Sequence, residues 1–150
     1  MSATSKNAKE KLRGEIRDAF EALVAAMLAG KQDAEKVLEE LVQKILNNSH
    51  DPASIDECFS AILGPLIKVL EMSQEYAIRI YCAVKVFHAI REKRRAIVLS
   101  RNPSVEDFLN RIRNYPSKDA AGFERIVEAK GLIADMDSRG TDVLDQPVDE

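Results

Sequence analysis

Two histidines, His50 and His88, two cysteines, Cys58 and Cys82, and the adjacent acid pairs Asp56/Glu57 and Glu106/Asp107 are the groups here that could do acid–base, nucleophilic or metal chemistry. Their surroundings argue against each use. A carboxylate-bridged metal site in a helical bundle is built from Glu-x-x-His pairs. The residues three before the histidines are Asn47 and Lys85, so no metal is expected. The cysteines sit among apolar residues, with no CxxC spacing and no Cys/His neighbourhood, and read as small core hydrophobes in a reducing compartment. Both acid pairs open stretches of helical pattern, where negative charge complements the helix dipole.

P-loop, GxGxxG, HExxH and GxSxG motifs are absent. No catalytic residue is assigned, and the chain reads as a non-enzyme. His88 lies in an apolar run. A lone histidine there reads as hydrogen-bonded packing rather than a haem ligand, so no cofactor is expected.

A basic segment is the main remaining candidate. Arg91, Lys93, Arg94, Arg95 and Arg101 follow a nearly continuous apolar stretch, and Arg111 and Arg113 come from the next predicted helix. If the helix continues through the cluster, Arg91, Arg94 and Arg95 share a face that Arg101 extends. Such a face could track the phosphates of RNA or DNA. Charge asymmetry fits that use. Between residues 79 and 118 ten Lys/Arg stand against three acids, whereas residues 132–150 carry six acids against one Arg, within a net charge of −3. An ordinary surface whose two halves neutralise each other explains the same numbers. Aromatics make up only 5% and Trp is absent, so a stacking platform for single strands is not expected.

The elements that must position these groups are helical. Ala, Leu, Glu, Lys and Arg dominate, and Gly and Pro are few. A first helix should run from Thr4 or Ser5 to Ala29, ordered from about Lys11, with Gly30 as its left-handed terminator. Asp33 should cap a second helix that stops at Asn47–Pro52. Ser54 and Glu57 fit a capping box for a third, which Gly64-Pro65 should kink or break. Ser73 should cap a central helix over 74–99, apolar around its whole circumference and therefore buried. Asn102-Pro103-Ser104 should start the next helix, and a last one should end near Asp135.

Together these predict an all-α fold: one bundle of six or seven helices around the central one. Residues 1–10 are expected to be a flexible segment, 11–136 the bundle and 137–150 an acidic disordered tail. The apolar surplus on the central helix, with Ile90, Ile97, Val98 and Leu99 foremost, suggests a protein interface. The expected function is accordingly a non-catalytic interaction or assembly module that binds a protein partner or self-associates as a homo-oligomer. The alternative is a nucleic-acid-binding protein using residues 91–101, with the acidic tail regulating it. Neither a signal sequence nor an uncharged apolar run of membrane-spanning length is present, so an intracellular, cytoplasmic setting without membrane attachment is expected.

Overall fold

A computed structural model of the chain describes residues 2–30, 32–49, 51–67, 74–94, 97, 99–115 and 123–145. Among them are six α-helices and no strand: α1 (Ser2–Leu28), α2 (Ala34–Leu46), α3 (Pro52–Ile67), α4 (Gln74–Lys93), α5 (Pro103–Arg113) and α6 (Phe123–Asp145), with a short 3-10 turn at Leu99–Arg101 before α5. The all-α bundle read from the sequence is the observed architecture.

Local chemistry sets most helix ends. Gly30 stops α1 at φ +67°, a left-handed conformation that an L side chain would strain. Asn102 caps α5, its Oδ1 accepting from the Val105 amide at 3.1 Å, and Pro103 takes the first helical position, where its missing N–H costs nothing. Asp33 precedes α2 but makes no side-chain cap bond.

Several boundaries differ from the sequence reading. The α1 helix begins at Ser2, slightly ahead of the expected start at Thr4 or Ser5. The third helix starts a turn before Ser54, because Asp51 outcompetes it: Asp51 Oδ1 accepts from the Ala53 amide at 3.1 Å, and Pro52 presets the first helical φ. Ser54 instead donates its hydroxyl to Asp51, and Glu57 is taken by Arg13, whose Nε donates to it at 2.7 Å. Gly64-Pro65 does not break α3, which continues to Ile67. The last helix runs past its expected end near Asp135 to Asp145. Ser73 and residues 146–150 lie outside the described residues.

The central helix is correct in role but shorter than 74–99. Its last helical bond runs from the Arg94 amide to the Ile90 carbonyl at 2.8 Å. The chain then turns, with the Ile97 amide reaching the Arg94 carbonyl at 3.2 Å and Arg91 donating to the Ile97 carbonyl at 3.3 Å. The reason is burial. The turn delivers Leu99 into the core and leaves Ile97 half-buried against it.

Helix α4 is buried on nearly every side, and Phe87 stands at its centre. The Phe87 ring meets Phe59 of α3 edge-to-face at 5.4 Å between centroids and Phe108 of α5 at 6.2 Å. Ile78, Val86 and Ile90 occupy other sides of the helix, and they too are buried. Helix α6 packs along α4 through Ile126, Ala129, Ile133 and Met136, spaced at threes and fours. The two helices run in the same sense, since Tyr81 meets Arg125 and, further along, His88 meets Asp135.

Ion pairs pin the outer helices to this centre. Arg79 of α4 grips Glu21 of α1 through both terminal nitrogens, at 2.6 and 2.7 Å. That hydrogen-bonded guanidinium holds the Glu21 carboxyl below its usual range, against the opposing effect of burial. A depressed carboxylate stabilises the fold above its unfolded pKa, and the contribution is lost as pH falls through the depressed folded value. Glu21 is partly exposed, so the pair is worth about 0.2–1 kcal/mol. Glu21→Gln should therefore lower Tm slightly at neutral pH, and the difference from the parent should vanish in acid. Thermal melts across a pH series would show a constant offset if the pair played no such part.

Candidate functional site

The fold disperses the residues that could do chemistry. Cys58 and Cys82 are fully buried, and burial pushes both thiols up to about 12. Neither is a nucleophile at neutral pH. Aromatic disulfide reagents should leave both untouched in the native protein and titrate both after denaturation; fast labelling of either thiol before unfolding would contradict this burial. Asp56 accepts from the Asn102 side chain at 2.6 Å and Glu57 pairs with Arg13, so the first acid pair braces helix ends. Glu106 lies in the first turn of α5. His50 lies outside the described residues.

The basic residues do not form one helical face. Arg91 closes the turn after α4 through the Ile97 carbonyl, and Lys93 is exposed at the end of that helix. Arg94 reaches across to the end of α2, donating to the Ser49 hydroxyl and to the Leu46 carbonyl, where a cation complements the helix dipole. Arg101 belongs to the 3-10 turn, off the axis of α4. Arg113 is held by Asp137 of α6 in a two-pronged pair at 2.7 and 3.0 Å. Lys93, Arg101 and Arg111 are exposed and make no ion pair among the described residues. Arg95 lies outside them.

The interface candidates also change character. Ile90 is 0% exposed and Leu99 6%, so both belong to the core of this same chain and present no free apolar surface. Ile97 is half-buried against that core, and Val98 lies outside the described residues. Among the described residues the large apolar side chains left exposed are Leu28 on α1 and Val127 on α6.

A cluster the sequence reading passed over lies on the seam between α4 and α6. His88 Nε2 stands 2.7 Å from Asp135 Oδ2, and both side chains are partly accessible. Glu92, one turn after His88 on α4, brings a third ligand atom, a carboxylate oxygen, and all three atoms lie within 4.8 Å of one another. Tyr81 occupies the same seam two turns earlier, between Lys85 at 5.6 Å and Arg125 at 4.9 Å from its ring centre. The His88/Glu92 half was legible as an i, i+4 pair. Asp135 was not, since it arrives from another helix.

Comparison of this chain with protein-family models, with curated proteins and with solved structures finds no match. No described helix is long and apolar enough to cross a membrane.

Proposed function

We propose that this protein is a non-catalytic helical interaction module that engages a protein partner through its outer surface and self-associates. The observation carrying this reading is the dry interior. Among the described residues no charged, amide or hydroxyl-only side chain is buried, the two thiols and Tyr81 being the most polar groups there, and no buried side-chain nitrogen or oxygen lacks a hydrogen bond. Preorganised acid–base or nucleophilic chemistry depends on activated polar groups shielded from water, and among the described residues the buried candidates are two thiols held protonated by burial. Asp56 and Glu57 brace helix ends instead. Contacts with a partner would then be made by exposed helix faces, with Leu28 and Val127 as apolar anchors and charged residues around them.

The test is light scattering after size exclusion over a concentration series, with cross-linked partner capture by the parent and by Leu28→Glu and Val127→Glu. Association or capture that weakens in either variant supports the reading. A strictly monomeric chain that captures nothing and turns over a substrate would overturn it.

A second reading, binding of RNA or DNA, draws on Lys93, Arg101 and Arg111, which are exposed and make no ion pair among the described residues. The Arg113–Asp137 pair suggests how the acidic end could hold back one further cation. In fluorescence polarisation across a salt series, this reading expects steeply salt-dependent binding. It should be lost when Lys93, Arg101 and Arg111 become Ala, and tightened by Asp137→Asn. Absence of binding at low salt removes it.

A further inference from the structure

We infer that His88, Glu92 and Asp135 form a binding site for a first-row divalent metal ion of the Zn2+ class, bridging α4 and α6. This goes beyond the proposed interaction function and against the metal-free expectation from sequence.

The donor set is one imidazole and two carboxylates. Two carboxylate charges balance a divalent cation, and a neutral imidazole completes a set that suits Zn2+ and its neighbours better than the all-oxygen preference of Mg2+ or Ca2+. His88 and Glu92 sit one turn apart on α4, so a rigid helix presents two donors side by side. Asp135 supplies the third from α6, and its present contact with His88 Nε2 at 2.7 Å fixes both groups at the seam.

The distances are close to what a metal needs. Metal–ligand bonds of about 2.0–2.2 Å place neighbouring ligand atoms roughly 3.0–3.5 Å apart. His88 and Asp135 would therefore open slightly from hydrogen-bond distance, while Glu92 closes in from within 4.8 Å. Side-chain rotation achieves both, since Glu92 is exposed and the other two are partly accessible. The ion takes the place of the shared proton between His88 and Asp135. Glu92 and Asp135 each have a further interaction within the chain, which the ion must share or displace. Three protein ligands leave a coordination position open to water or to a partner's side chain.

Binding to the folded state alone clamps α6 onto the central helix and raises thermal stability. The experiment is calorimetric titration of Zn2+ into the chelator-treated full-length chain at neutral pH, with thermal melts and the visible spectrum of the Co2+ form. One-to-one binding is expected, with Tm rising by about 5–10 °C once free Zn2+ reaches roughly one hundred times Kd. Millimolar Mg2+ should not compete. His88→Gln and Asp135→Asn should each weaken binding by about tenfold or more, Glu92→Gln should weaken it measurably, and His50→Gln should leave it unchanged. Helical circular dichroism checks that each variant remains folded. Absence of one-to-one binding to the parent protein, or binding that survives His88→Gln in a folded variant, overturns the assignment.

Discussion

Phe87→Ala lowers the stability of this protein by about 3–5 kcal/mol, the range for emptying a fully buried aromatic site. The ring is 0% exposed and joins Phe59 of α3 to Phe108 of α5 through edge-to-face contacts, so its removal leaves a void where three helices meet. Each ring pair adds about 0.5–1.5 kcal/mol beyond area burial, which places the loss toward the upper end. Domains of this size have about 5–15 kcal/mol in total, so the variant retains a fold with little to spare. The corresponding fall in Tm is roughly 6–20 °C. Phe87→Leu should lose distinctly less, since it keeps apolar volume and gives up the ring geometry. Denaturant titration of the three proteins measures both effects. A loss of about 1 kcal/mol or less for Phe87→Ala would mean that this cluster is not the centre of the core.

Ile90→Ala should cost about 2–5 kcal/mol, with the loss seen in the folded chain itself rather than in its association. Ile90 is fully enclosed by its own chain, on a side of α4 that the sequence reading assigned to a partner. The two assignments give opposite concentration dependences. A core residue lowers the unfolding midpoint equally at low and high protein concentration. An interface residue shifts the oligomer equilibrium and makes the midpoint depend on concentration. Equilibrium unfolding at two widely separated concentrations therefore decides between them. Phe87 and Ile90 are one turn apart in the same core, so the double variant should not show the simple sum of the two losses.

Local signals were legible where one residue's chemistry sets the backbone. Gly30 and Asn102-Pro103 ended or began helices as read, because a left-handed φ or a missing N–H is decided on the spot. Ser54 was misread because Asp51-Pro52, a turn earlier, supplies both a better acceptor and a preset φ. The end of α4 was not legible at all. Helix propensity continues through the basic cluster, yet the chain leaves the helix after Lys93, and the turn is held by Arg91, Arg94 and the burial of Leu99. All-round apolarity correctly placed α4 at the centre. It could not say whether the surplus sides meet the same chain or another, and Ile78, Val86 and Ile90 meet the same chain. The seam cluster needed knowledge that α6 lies along α4, which no spacing rule contains.

The side-chain contacts that fasten the helices also set a clock. Arg13–Glu57 joins residues 44 apart in sequence, His88–Asp135 47, Lys85–Glu35 50 and Arg79–Glu21 58. Individual helices form within about a microsecond, but each of these closures must first bring together distant stretches of chain. Loop-closure entropy is spent before the contacts return any stability. For an all-helical protein of this length, folding should therefore be paced by topology, with helical signal appearing well before the seam between α4 and α6 is sealed.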